Sequence, residues 1–164
     1  MGSEQFSGNT CNWKIALPPF LWVAVSAIAA YDANELTLGA SEAQIKKTFP
    51  NAHCRELEWP SRAAERRCDD SRMRFGGVDA SVTFYLKRDA VEGFDVRFDR
   101  RELARVKNFL VTRYGEPASE SETPPAVEWR ANGERARLSA EQGRRRASLF
   151  VWRGAFDQEI YKIR

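Results

Sequence analysis

Between residues 82 and 98 apolar side chains recur at every second position: Val82, Phe84 and Leu86 in one run, Phe94, Val96 and Phe98 in the next, with a turn around Arg88-Asp89 between them. A period of two puts each set on one side of an extended strand, so the segment predicts a β-hairpin with one buried face. That face needs a second layer over it. The last third predicts a three-stranded meander: Val127 to Ala131, a turn at Asn132-Gly133, Glu134 to Glu141, a turn at Gln142-Gly143, and Arg144 to Arg153. Asn-Gly between alternating runs is a strong hairpin signal. Met73 and Phe75 suggest a further strand ended by Gly76-Gly77, and Arg55 to Trp59 a short one.

Two segments read as helices. Ser41 is placed to cap Glu42 to Phe49, with Gln44 as the answering residue of a capping box, and Pro50 ends the helix. Asp99 with Glu102 predicts a second capping box, followed by a stripe of Leu103, Val106, Leu110 and Tyr114, a stop at Gly115 and then Pro117. Residues 60–71 and 118–125 have loop composition, and the tail 156–164 fits either a short helix or an edge strand. The expected fold is α+β: antiparallel sheet with two helices packed on one face, in the order helix, strands, helix, strands. That order suggests a tandem repeat over 36–98 and 99–155.

Lys14 precedes the apolar run Ile15 to Ala30, which ends in Ala27-Ile28-Ala29. This pattern predicts a secretory signal peptide over 1–30, leaving 31–164 as one domain. A short buried helix and a retained anchor are the other readings; the run falls short of the roughly 18 to 20 apolar residues that span a bilayer. Past that segment only Cys54 and Cys68 remain of the three cysteines. In an oxidising compartment they are expected to pair, the alternative being two buried thiols. Two cysteines and the single His53 do not make a zinc site, so no metal or cofactor is expected.

Leu38-Gly39-Ala40-Ser41 with Ile45, the helix-ending Phe49-Pro50 and Tyr114-Gly115-Glu116-Pro117, and the sheet after each helix resemble the fold shared by β-lactamase inhibitor protein and the outer-membrane assembly lipoprotein BamE. The likeness spans about 36–155. It implies a periplasmic or secreted binding module. A lipobox cysteine just after the apolar run is missing, since Cys11 precedes it.

No catalytic constellation stands out. In extended chain the side chains of His53 and Cys54 point apart, which makes them a poor nucleophile-base pair. Asp69-Asp70, Asp95 and Asp99 are candidate carboxylates for hydrolysis of an envelope polymer, but Asp99 has a capping role, Asp95 falls on the predicted solvent face and Asp69-Asp70 follows the cysteine loop. Gly76-Gly77 lacks the Lys-Ser/Thr and the following helix of a phosphate loop.

The meander offers more. If Val127, Trp129, Ala131, Ala136, Leu138, Ala140, Ala147, Leu149 and Val151 face inward, then Arg130, Arg135, Arg137, Arg144, Arg146, Phe150 and Trp152 face outward. Arginine forks carboxylates, and Trp and Arg anchor interfaces. The expectation is therefore an exported, non-enzymatic binding or inhibitor-like module whose basic and aromatic sheet face meets an acidic protein of the cell envelope or an anionic polymer. The competing expectations are a solvated face with the aromatics under the tail, a carboxylate hydrolase, and a membrane-anchored structural protein. A basic stacking platform also suits single-stranded nucleic acid, but export argues against that partner.

Overall fold

The computed structural model describes residues 30–59, 61–140 and 143–156. The predicted signal segment, the Gln142 half of the second meander turn and the tail beyond Phe156 lie outside the described residues. The fold is α+β, as its alternating runs imply: among the described residues, an eight-stranded antiparallel sheet, a two-stranded one and two α-helices.

The first described elements are two short strands, β1 (Asp32–Ala33) and β2 (Leu36–Thr37), paired with each other. Helix α1 (Glu42–Thr48) follows, with the Ser41–Gln44 capping box fully formed. Strands β3 (His53–Glu56), β4 (Arg66–Phe75), β5 (Val78–Lys87) and β6 (Ala90–Asp99) form a meander. Helix α2 (Leu103–Tyr114) leads to a second meander, β7 (Ser119–Glu122), β8 (Pro125–Ala131), β9 (Glu134–Ala140) and β10 (Arg146–Arg153). The strand order is β3-β4-β5-β6-β10-β9-β8-β7, so the last strand of each meander pairs with that of the other at the centre.

The hairpin turns are those the sequence asks for. Arg88 and Asp89 both have positive φ, 48° and 60°, as do Asn132 and Gly133, 52° and 78°. Such turns match the twist of the flanking strands.

Four expectations are corrected. The Pro60–Ser71 loop is shorter than its polarity suggests, because Arg66 already begins β4; its polar run pairs with β3 on one side and β5 on the other. The strand expected at Arg55–Trp59 lies earlier, at His53–Glu56. Polar residues 119–122 form the edge strand β7, all exposed, which is why no alternation marks it. Asp99 caps a 3-10 turn, Arg100–Glu102, by accepting from the Arg101 N–H at 2.9 Å. Glu102 then stands at the N-cap of α2 with no side-chain capping bond.

One face of the sheet makes the core. Val82, Phe84, Phe94, Val96, Trp129, Leu138, Leu149 and Val151 are buried there with Ile45 of α1 and Val106 and Leu110 of α2. Each large side chain removed from water contributes about 1.5–3 kcal/mol. Trp129 also donates its indole N–H to the Gly115 carbonyl at 2.9 Å, fixing the end of α2 to β8. Asp32 is buried beside the same end of α2, and Arg113 donates to both its oxygens at 2.9 and 2.7 Å. Cys54 and Cys68, direct partners across β3 and β4, are joined as a disulfide.

Candidate functional site

The outward face follows from the register. One row across the strands reads Arg55, Arg67, Tyr85, Gly93, Trp152, Arg135, Arg130; the next reads His53, Asp69, Thr83, Asp95, Phe150, Arg137, Glu128. Arg130, Arg135 and Arg137 are all exposed on it. Arg130 and Arg135 stand directly opposite each other, and Arg137 opposite Glu128. Arg130 folds back onto Glu128 with Nε at 2.7 Å from the carboxylate. Like charges directly opposite in a sheet cost stability, so this arrangement is not one that packing alone favours.

Phe150 and Trp152 point to this face but are not open on it. They are 6% and 2% exposed, buried in a second cluster with Tyr85, Ala64 and Phe156, against which Leu57 and Ala63 also pack. Phe150 stacks on Trp152 at 5.0 Å between centroids. Phe156 lies over Gly93, where an added Cβ would come within 3.1 Å of its ring. The β3–β4 loop supplies the rest of the cover and is tied down by Leu57 N–H to Glu65 O, Glu65 N–H to Leu86 O, and Lys87 to the Arg62 carbonyl. From that same loop Trp59 stands 78% exposed, the one large apolar side chain so placed among the described residues.

Arg144 and Arg146 are exposed but belong elsewhere. Arg146 pairs with Asp99, four residues and so about 13 Å along β10 from Phe150. Arg144 lies there with Arg100, Arg101 and Arg145 around the start of the 3-10 turn. The five arginines grouped by alternation are thus two groups, separated by Ser148 and Ser139, neighbours on β10 and β9.

The carboxylates are engaged. Asp69 lies 2.7 Å from Arg67 Nε and accepts from the Thr83 hydroxyl at 2.8 Å. Asp70 is buried and accepts from the Arg72 N–H at 2.8 Å, beside the irregular register between Asp70 and Met73. Asp95, expected at the surface, is 1% exposed and lies 2.7 Å from Arg97 Nε. Burial alone would lower the Arg97 pKa; the Asp95 charge and hydrogen bond outweigh it and hold the guanidinium above its ordinary value. Glu42 comes close to the sulfurs of Cys54 and Cys68, with all three ligand atoms within 4.8 Å. The disulfide leaves that trio no thiolate to offer a metal.

No protein-family model, curated protein or solved structure matches this chain.

The outward direction of Arg130, Arg135 and Arg137 was readable from alternation. The Arg100-Arg101 pair and Arg145 were not singled out, although the run Arg144-Arg145-Arg146 is visible in the sequence. Their meeting depends on β6 and β10 being neighbours, a pairing between strands about fifty residues apart. Trp59 was missed because it was assigned to a strand.

Proposed function

We propose that the protein is an exported, non-enzymatic binding module that meets an acidic protein surface through Arg130, Arg135 and Arg137, with Trp59 of the β3–β4 loop as a further, apolar contact. The observation that carries this is the direct opposition of Arg130 and Arg135 on an exposed sheet face, a like-charge contact that lowers stability and gains value when carboxylates insert between the guanidiniums. An exposed tryptophan on a tethered loop adds the kind of side chain that dominates interface energies. The Cys54–Cys68 disulfide accords with an oxidising compartment and so with export. The two helix-plus-meander halves meeting at β6 and β10 accord with a tandem repeat and with the likeness to β-lactamase inhibitor protein and BamE.

The test is affinity capture from cell-envelope extract with the native chain, the Arg135→Glu/Arg137→Glu variant and the Trp59→Ala variant, followed by cross-linking of the captured protein. The expected result is one acidic protein, cross-linked to β8 or β9, retained by the native chain, released by added salt and lost with either variant. Capture that survives charge reversal sinks the reading.

A further inference from the structure

The geometry points to a small-molecule site beside the second half of α2: a hollow that takes one free apolar α-amino acid. Arg113 meets its carboxylate, Glu35 its ammonium, and the rings of Phe75 and Phe109 its side chain. Among the described residues Asp32, Asn34, Glu35, Phe75, Phe109 and Arg113 line the hollow, which is about 270 Å³. Pockets for drug-sized ligands run from about 300 to 1,000 Å³, so the occupant here is on the order of a single amino acid.

Three elements meet at the hollow, and each is tied to the other two. Asn34 donates its side-chain amide to the Arg74 carbonyl at 3.0 Å, joining the β1–β2 turn to β4. Arg113 joins β1 to α2 through both oxygens of Asp32. Phe75, the last residue of β4, meets Phe109 of α2 edge to face at 5.3 Å between centroids. Phe109 also lies over Gly76, where an added Cβ would come within 2.9 Å of the ring. Phe109 and Arg113 are one helical turn apart and share a face, with Arg113 Cζ 6.0 Å from the ring centroid. A site framed in this way does not have to be ordered by its ligand.

The frame leaves two opposite charges on an aromatic wall. Asp32 is already engaged: it accepts from Arg113 twice, from the Glu35 N–H and from the Tyr114 hydroxyl. The Arg113 guanidinium is 42% exposed, and its Nη1 donors are not among those bonds. Glu35 is exposed, and its carboxylate makes no hydrogen bond or ion pair to a described residue. It is held at φ 74°, in the left-handed region, at the turn position where glycine most readily follows asparagine. A ligand with one charge engages one of these groups. An α-amino acid carries both charges on one carbon, together with a side chain for the rings. The hollow lies on the α2 side of the sheet, opposite the face of Arg135 and Arg137, so it stands whether or not that face meets an acidic partner.

The test is calorimetric titration of the full chain with L-phenylalanine, alongside N-acetylphenylalanine, phenylalanine amide and glycine. The expected result is one-to-one binding of L-phenylalanine, with each of the other three at least about tenfold weaker. Glu35→Gln and Glu35→Gly are each expected to weaken L-phenylalanine about tenfold or more, while leaving N-acetylphenylalanine within about twofold. Urea unfolding verifies that both variants are folded. Absence of L-phenylalanine binding, or binding indifferent to residue 35, overturns the site. The two blocked compounds stand for the last and first residues of a peptide, so either one binding as tightly as the free amino acid overturns the assignment to a zwitterion. Glycine binding as tightly overturns the role of the rings.

Discussion

Arg130 and Arg135 are direct partners across β8 and β9, and Arg130 Nε lies 2.7 Å from the Glu128 carboxylate. Replacing Arg135 by Glu puts an opposite charge in register with Arg130. The Arg135→Glu variant is expected to be more stable than the native protein by about 0.5 kcal/mol, while losing its acidic partner. Urea unfolding compared with the capture assay checks both halves, and a loss of stability would show that the face is built for packing.

The Asp32–Arg113 pair is expected to hold the first described segment against α2. Asp32 also accepts from the Glu35 N–H at 2.7 Å, and the Tyr114 hydroxyl bridges its backbone. Arg113→Met leaves a buried carboxylate without its cation. The expected cost is about 2 kcal/mol, less than for a fully buried pair because the guanidinium is 42% exposed. Adding Asp32→Asn should recover part of it, which a double-mutant cycle by denaturant titration measures.

Reduction of Cys54–Cys68 is expected to cost roughly 3 kcal/mol, since the bond closes a loop of 14 residues' separation. β3 is an edge strand with three of its four residues exposed, so little else secures it. Hydrogen exchange after reduction should therefore speed up first at residues 53–56, with β5 and β6 retaining protection. Uniform acceleration across the sheet would contradict this.

Burial, with a smaller push from Glu134, raises the Tyr31 phenol to about 12, and burial also holds the Tyr114 phenol above its ordinary value. The unfolded chain ionises these groups near pH 10 while the folded protein keeps them neutral, so it binds fewer protons than the folded form in that range. Stability is fully present below about pH 10 and is expected to fall as pH rises to about 12. Urea midpoints across that range, with Tyr31→Phe flattening the fall, provide the check.

What could be read from sequence was whatever a period states without help. The hairpins at 82–98 and 127–140, the capping box at Ser41 and the stripe through Val106 and Leu110 are local patterns whose partners lie close in the chain. The first half of β4 and the whole of β7 escaped for opposite reasons. The first half of β4 is charged because Arg67 and Asp69 pair with each other on the outer face, Arg66 reaches Glu42 of α1 and the buried Asp70 accepts from a backbone amide, while β7 is an edge with no face to bury. Phe150 and Trp152 were correctly directed and wrongly exposed. Alternation sets the side on which a residue points, and only the β3–β4 loop and Phe156 determine that this side is roofed.

The position of β10 carries a consequence for how the molecule is made. It is the last strand among the described residues, yet it lies between β6 and β9 in the middle of the sheet. A nascent chain that has emerged only as far as Ala140 holds two finished hairpin ladders whose inner edges, β6 and β9, are both raw, with Phe94 and Val96 on one and Leu138 on the other. Open edges of that kind recruit strands from neighbouring chains. Closure of the sheet therefore waits on Arg146–Arg153, and a premature stop before that strand yields an aggregation-prone pair of half-sheets instead of a shorter protein.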